Sequence, residues 1–300
     1  SQTANGSLLA LGWQGSRWAF DLGTTQGYAI NNWLGGATVN GDLGQLGWSL
    51  TASRRPMSNS LLSFAGARDP RMGVRWGGVT ANGATLGLSW DQGGDNGVWA
   101  SLGHHWLYGE NVADNQRTRA MAGWYHRVVE RADERVRVGL TLMHWRHDKD
   151  LGGYSLGQGG YYSPQRYTSV GVPVSYAWRN YDWSVLLEGS VSWSQAHSGR
   201  SRLYPDTHLN RKLMDRFDIG ESNIDAMRDA SDSSGLGYRL RGLFERRLSD
   251  RWVLGGGFDW QHSDDYAPSH GMLYLRYLFE PWRGNLALPV TPLEPYSEWR

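Results

Sequence analysis

Apolar and polar side chains alternate along most of this 300-residue chain, and that alternation limits its fold more than any other feature. The stretch 271–279, which reads GMLYLRYLF, is the clearest case. Its apolar face carries Leu273, Leu275, Tyr277 and Phe279, and its polar face carries Tyr274 and Arg276. A period of two predicts a β-strand with one apolar and one polar side. A chain built from such strands predicts a closed barrel.

Composition decides between a barrel in water and a barrel in lipid. The sequence has 17 Trp, 15 Tyr, 40 Gly and no Cys. Its mean hydropathy is negative, and no stretch approaches the roughly 18 consecutive apolar residues of a membrane helix. A transmembrane barrel reconciles these facts, because only alternate residues face lipid and the inner face is polar. The sequence therefore predicts an all-β, antiparallel, up-and-down transmembrane barrel.

The charged residues exclude some partners. A net charge of +1 provides no bulk field for nucleic acid or for a strongly acidic partner. Only Lys149 and Lys212 among the 30 basic residues are lysines. Arginine suits a structured inner wall or lipid phosphates, although a biased genome would give the same ratio. The start, SQTANGS, is not a signal peptide, so we expect a mature exported protein or, in preference, a piece of a longer chain.

Fourteen alternating segments are separated by turns, with no domain break between them. They are residues 7–14, 18–24, 33–39, 45–54, 73–80, 85–91, 98–108, 119–129, 135–146, 168–179, 183–194, 236–248, 252–262 and 271–279. Tryptophans near segment ends match the aromatic girdles of membrane barrels. These are Trp178, Trp183, Trp193, Trp252 and Trp260.

The face of each side chain follows from the alternation, since a slip of one residue would exchange lipid for lumen. The predicted lipid-facing residues are Val136, Val138, Leu140, Leu142, Trp183, Val185, Leu187, Val191, Trp193, Tyr238, Leu240 and Phe244. The predicted lumen-facing residues are Arg135, Arg137, Thr141, Ser184, Glu188, Ser190, Ser192, Arg239, Arg241 and Glu245.

Short and long connections alternate, as in outer-membrane barrels. The short links 132–134, 180–182 and 249–251 are predicted periplasmic turns. The long links 109–116, 148–167 and 196–234 are predicted extracellular loops, with a short helix in 209–229. Segment 55–72 is long but falls on the short-turn side, so we expect an irregular strand there or a segment folded into the lumen.

Three unusual segments resemble a known family. These are GQGGYYSPQ (157–165), LGWSLTASRRP (46–56) and YLRYLFEPWRGNLALPVTPLEPY (274–296). Together they resemble the C-terminal barrel of the bacterial cellulose synthase porins, the outer-membrane secretion channels of cellulose export. The resemblance implies sixteen strands, two more than the fourteen counted. It also implies a preceding periplasmic tetratricopeptide-repeat region.

This resemblance implies an outer-membrane pore that exports newly made cellulose. Its partners would be the glucan, outer-membrane lipid, and periplasmic and inner-membrane synthase components. A neutral glucan needs stacking aromatics and weak, exchangeable hydrogen bonds, because tight binding would stall export. The predicted glucan contacts on the wall are Arg137, Glu188, Arg239, Arg241, Glu245, Asp259, Gln261, Tyr274 and Arg276. The alternative is that these acids and arginines only neutralise each other.

The last residues form a separate unit, so we divide the chain into a barrel, 1–280, and a tail, 281–300. Prolines at 281, 289, 292 and 295 keep the tail out of the sheet. We expect it to enter the lumen and to offer Trp282, Tyr296 and Trp299 as stacking surfaces. The alternative is a peptide that recruits a periplasmic partner.

No pattern in the sequence predicts catalysis or a cofactor. The loop acids are expected to be solvated charges, with calcium binding as the alternative; they are Asp229, Asp232, Asp264 and Asp265. No nucleophile-elbow pattern surrounds the serines, and His144 and His147 should point to opposite faces of one strand. Three other functions stay open: export of another exopolysaccharide such as poly-glucosamine, an adhesin-type barrel with functional loops, and a soluble glycan-binding β-sandwich.

Overall fold

The computed structural model describes residues 3–70, 72–206, 211, 226–262 and 269–290. The elements in chain order are β1 Ser7–Gln14, β2 Trp18–Gln26, β3 Trp33–Leu43, β4 Leu46–Pro56, α1 Leu61–Ala65, β5 Ala67–Arg68, β6 Arg75–Asp91, β7 Asn96–Glu110, β8 Asn115–Glu130, β9 Glu134–His147, β10 Arg166–Arg179, β11 Trp183–Ser198, β12 Ser201–Arg202, β13 Met227–Arg228, β14 Ser231–Ser249, β15 Trp252–His262 and β16 Ser269–Tyr277. Over these ranges, no helix is long and apolar enough to cross a membrane.

One antiparallel sheet dominates the fold. It has fourteen strands, and all but β5 form a continuous path in which each strand pairs with the next along the sheet. β5 pairs with β6, and β12 and β13 form a separate two-stranded ribbon. The all-β antiparallel order confirms the predicted fold class, and the sixteen strands are the thirteen of the path, β5 and the two of the ribbon.

The sheet is not closed, since no pairing between β1 and β16 is present among the described strands. The path has thirteen strands, so β1 and β16 run in the same direction. An antiparallel seam between them would therefore need an odd number of further strands. Leucine side chains on the outer face of these edge strands are highly exposed: Leu11 is 83% exposed and Leu273 is 78% exposed.

The two faces of the sheet differ as the alternation predicts. In β9, Leu140 and Leu142 are exposed, whereas Arg135 reaches the C-terminal tail on the other side. In β11, Leu187, Val191 and Trp193 are exposed, and Ser184 contacts the tail. We name the apolar side the outer face and the side under the tail the inner face. The predicted facing of both strands is confirmed.

The prediction of separate strands at 73–80 and 85–91 is wrong, because β6 runs unbroken over 17 residues. Small residues at 81–84, ANGA, interrupt the hydrophobic alternation but not the pairing with β7. A Cβ at Gly83 would lie 2.0 Å from the carbonyl oxygen of His104, so the two strands approach too closely there for any side chain. The sequence pattern ends where this close approach requires glycine.

Because the two predicted strands are one strand, segment 55–72 lies at the opposite end of the sheet from the one predicted, and no longer falls on the short-turn side. Its link from β4 to β6 lies at the same end as the long links 111–114, 148–165 and 199–230. We call this the loop end, and the opposite end, with the links 131–133, 180–182 and 250–251, the turn end. The predicted grouping of short and long connections is otherwise confirmed. Most of the predicted helix at 209–229 lies outside the described residues.

Loop segments pack onto the inner face at the loop end. Helix α1 begins with a capping box between Ser60 and Ser63, and its Leu62 carbonyl comes so near Gly77 that no Cβ fits. A buried cluster joins sheet residues to the long loop 148–165. Its members are Met57, Val79, Ala81, Leu107, Val112, Leu151 and Tyr161. Helix α1 and the loop 148–165 are therefore anchored to the wall.

Candidate functional site on the inner face

Most of the wall residues predicted to contact a ligand lie together on the inner face of β11, β14, β15 and β16, where they form ion pairs with each other. Arg241 Nη1 lies 3.3 Å from Glu188 Oε2 across the β11–β14 pair. Arg239 Nε donates to Asp259 Oδ1 at 2.9 Å across the β14–β15 pair. The Asp259 carboxylate also accepts from the Gln261 side chain at 3.1 Å. Each carboxylate is thus held by a neighbour on the next strand or on its own strand.

The Glu245 carboxylate is fully enclosed on this face, since its residue is 0% exposed. It accepts a hydrogen bond of 2.6 Å from the Tyr274 hydroxyl and lies 2.8 Å from Arg276 Nη2. Tyr274 reaches it across β15 because Gly255 stands between them, and a Cβ there would meet the Tyr274 ring at 2.1 Å. A glycine in the middle strand therefore allows contact between two strands that are not neighbours.

A second charged cluster lies toward the turn end of β8 and β9. Glu130 lies 2.6 Å from Arg135 Nε and 3.4 Å from Arg137 Nη2. Arg127 pairs with Asp91, which also accepts from the Tyr125 hydroxyl. Of these residues, only Arg137 and Arg135 were predicted to face the lumen. Asp91 and Tyr125 are separated by an even number of positions from other inner-face residues of their strands. The same alternation would therefore have predicted that both face the lumen.

The chemistry of this inner face follows from the pairing. The ion pairs above join arginine to a carboxylate on the same wall, which limits the field that a passing neutral molecule meets. Ser190 and Ser192 place hydroxyl groups on the same face. Such groups offer hydrogen bonds that a neutral, hydroxyl-rich molecule can exchange with water. The ion pairs named above can stay intact during that exchange.

The tail folds back over the inner face at the turn end. Three side chains donate to its carbonyl groups: Arg135 to Leu288 at 2.9 Å, Arg179 to Leu286 at 2.8 Å, and Ser184 to Ala287 at 2.6 Å. Arg247 donates to the carbonyls of Trp282 and Gly284. These donors come from β9, β10, β11 and β14, so residues 282–288 cross four neighbouring strands.

Apolar contacts and one exposed ion pair complete the attachment of the tail. Val290 is buried with Ala177, Leu186 and Leu243, and Leu288 packs against them. Arg283 lies 2.8 Å from the Asp250 carboxylate in the turn between β14 and β15, which raises the pKa of its guanidinium. The alternation did not predict any of these wall contacts, and the donors in β9, β10, β11 and β14 could not be matched to the tail because their acceptors are backbone carbonyls.

Of the three tail aromatics predicted to stack on a ligand, Trp282 lies among the described residues. Trp282 is half exposed, and its indole Nε1 donates to the Asn285 carbonyl at 3.0 Å. Tyr296 and Trp299 lie outside the described residues. The prediction that these rings stack on a ligand stays a prediction.

His144 and His147 lie on opposite faces of β9, as predicted. His144 is exposed and its Nδ1 lies 3.0 Å from the Thr168 hydroxyl, while His147 is 2% exposed and its Nδ1 lies 3.1 Å from the Pro164 carbonyl oxygen. In the described ranges, no three His, Asp or Glu side chains are arranged to hold a metal ion. Nearby in the loop, burial raises the pKa of the Tyr161 hydroxyl well above its usual range.

Comparison with known proteins places these observations in a family. The family model described as the C-terminus of cellulose synthase operon protein C matches residues 1–280. Cellulose synthase operon protein C of Salmonella typhimurium is 46% identical over 100% of this chain, and that of Escherichia coli K12 is 44% identical over 100%. The matches cover 25% and 26% of those proteins, so the chain spans about a quarter of their length.

A solved structure supports the fold independently of close sequence similarity. A bacterial polysaccharide outer membrane secretin superposes with a TM-score of 0.52, covering 90% of this chain and 77% of its own. The two sequences are 12% identical, so the likeness concerns the fold. The strand arrangement described above is therefore that of an outer-membrane barrel.

Proposed function

The chain belongs to the family of cellulose synthase operon protein C C-termini, and from this premise we propose that it forms the wall of an outer-membrane channel for cellulose. A linear β-1,4-glucan made at the inner membrane would leave the periplasm along the inner face, driven by the synthase that extends it. The chain itself would perform no chemistry. The observation that carries the proposal is the sheet with an apolar outer face and an ion-paired, hydroxyl-bearing inner face.

The ion pairs fit a conduit better than a binding site. Glucose units present hydroxyl groups and the weakly apolar faces of their rings, and they carry no charge. A wall of unpaired arginines would hold water and counter-ions, whereas paired ones expose a nearly neutral polar surface. The predicted contact residues would thus act mainly as wall. They are Arg137, Glu188, Arg239, Arg241, Glu245, Asp259, Gln261, Tyr274 and Arg276. Brief hydrogen bonds from those of their atoms that point into the lumen would let the polymer slide.

We further propose that the tail narrows the channel at its turn end, which we assign to the periplasm. Its backbone is held against the inner face by Arg135, Arg179, Ser184 and Arg247. Trp282, Tyr296 and Trp299 would offer flat surfaces to glucose rings as the polymer enters. The other role open to this segment is recruitment of a periplasmic partner.

Planar-bilayer recording of the full-length protein tests the proposal. We expect single channels whose current is interrupted by cellohexaose added on the side of the turn end. Chitosan hexamer is the matched probe, since it differs by an amine in place of one hydroxyl per ring. Stronger interruption by the amine-bearing oligomer would favour a poly-glucosamine channel. A protein that inserts but never conducts, with or without its tail, would contradict the channel and favour an adhesin-type barrel.

A further inference from the structure

Polar residues continue the outer face beyond its apolar band at the loop end. The last apolar row crosses four strands through Leu142, Val170, Trp193 and Leu236. Two residues further along each strand the row is polar, with His144 opposite Thr168. Because alternate residues share a face, the next row is also outward-facing. The strands therefore extend past the hydrocarbon boundary that Trp193 marks.

The outermost of these rows carries Arg146, Arg166 and His197, with the acid Asp232 opposite His197 on β14. Arg166 pairs with His197 across β10 and β11, and Arg146 follows the Trp145–Tyr167 pair across β9 and β10. Four residues separate Arg146 from Leu142, or about 13 Å along the strand and about 10 Å along the membrane normal for a usual strand tilt. That depth corresponds to the lipid headgroup layer, and arginine side chains can extend back toward the interface.

These residues line a shallow, open cavity of about 600 Å³ at the loop end of β9, β10 and β11, whose lining also includes His147 of the inner face. Arg146, Arg166, His144 and His197 contribute to its lining together with the acid Asp148. Both arginines are exposed, and no ion pair in the described part of the chain involves either of them. His197, in contrast, is engaged by Asp232 at 2.6 Å.

We propose that this cavity binds the phosphate group of a lipid in the leaflet at the loop end. Two guanidinium groups on adjacent strands can each donate a pair of parallel hydrogen bonds to phosphate oxygens. The hydrogen-bonded pair of His144 and Thr168 leaves one further donor beside them. The acyl chains of the lipid would then lie on the apolar row of Leu142, Val170 and Trp193. Basic pockets next to an apolar wall are sites of lipid headgroup binding in membrane proteins.

The site contrasts with the charged inner face of the sheet. Arginines of the inner face such as Arg239, Arg241 and Arg276 are paired with carboxylates. Arg146 and Arg166 instead face outward at the depth of the lipid headgroups, and the ion pairs of the described residues include neither of them. A lipid phosphate supplies the missing anion. If the loop end is extracellular, the phosphorylated glycolipid of the outer leaflet is the source.

Native mass spectrometry of the full-length protein in detergent tests this site. We expect the protein to retain lipid A, and the Arg146→Gln/Arg166→Gln variant to retain it about tenfold less, as loss of two charge-assisted contacts predicts. Arg246→Gln is the matched control, because Arg246 also faces outward but lies at the turn end beside Trp183. Its lipid retention should equal that of the unaltered protein.

Further probes identify the source of the phosphate without any variant. Lipid A stripped of its phosphates should bind the unaltered protein about tenfold more weakly. Phosphatidylglycerol retained as well as lipid A would assign the site to phospholipid phosphate in general. Equal retention of phosphate-free lipid A, equal losses in both arginine variants, or binding of inorganic phosphate without competition from lipid would overturn the proposal.

Discussion

At the scale of single residues, neighbours in one strand have opposite environments. Leu140 and Thr141 are adjacent in the middle of β9, with Leu140 opposite Trp124 on the outer face and Thr141 opposite Gly123 and Gly171 on the inner face. Their surroundings differ in polarity and in space. The same substitution at the two positions therefore compares the two faces directly.

Leu140→Arg should destabilise the folded barrel by about 2–4 kcal/mol, because it places a cation in the middle of the lipid-facing band. Thr141→Arg should cost much less, since its side chain enters a polar region bordered by glycines. Urea-induced unfolding in liposomes, followed by tryptophan fluorescence, measures both. Equal losses at the two positions would mean that the faces are assigned wrongly.

The free energy of unfolding should depend on the ion pair between Glu245 and Arg276. Arg276→Leu should cost about 3 kcal/mol, because it leaves the enclosed Glu245 carboxylate without its cation. Glu245→Leu combined with Arg276→Leu should recover most of that loss, since an apolar pair needs no compensation. The same unfolding assay compares them. A double variant no more stable than Arg276→Leu alone would show that the ion pair is not the source of the effect.

At the scale of elements, the alternation predicted the long strands of the sheet but missed features that depend on contacts distant in sequence. β6 was divided in two because ANGA lacks alternation, although its pairing with β4 and β7 is continuous. Helix α1 has only five residues and is stabilised by its capping box and by contact with Gly77 and the loop at Gly160. Neither interaction leaves a periodic pattern in the sequence.

The contacts that hold the tail at the candidate site also join residues distant in sequence, so they could not be predicted from the alternation. Its prolines and aromatics predicted a segment outside the sheet that folds back into the lumen. The donors that hold it, Arg179 and Arg247, could not be paired with it in advance, because backbone carbonyls look alike in any sequence. By contrast, the pairing of Arg239 with Asp259 follows from the alternation together with the strand register.

Arg247→Leu should release the tail from the wall. Each hydrogen bond from a charged donor contributes about 1.5–3 kcal/mol, so trypsin should cleave after the exposed Arg283 about tenfold faster or more. The matched control is Arg246→Leu, the preceding residue, which faces outward and should leave the cleavage rate unchanged. Intact mass measured over time follows the cleavage. The same rate in both variants would contradict the proposed anchoring.

At the scale of the whole molecule, all long connections lie at one end of the sheet, and we expect that end to be extracellular. A protease site inserted between Gly199 and Arg200, in the link from β11 to β14, should be cut on intact cells. The same site inserted between Asn180 and Tyr181, in the turn from β10 to β11, should be cut only after the outer membrane is permeabilised. The reverse pattern of cleavage would invert the orientation.

Photocrosslinking in cells that are making cellulose tests most directly whether a glucan moves along the inner face. A photoreactive residue is placed at Ser190, on the inner face of β11, or at its neighbour Val191, on the outer face. We expect an adduct at position 190 that cellulase removes and that disappears when synthesis stops, with none at position 191. No adduct at position 190, or equal adducts at both positions, would contradict movement along the inner face.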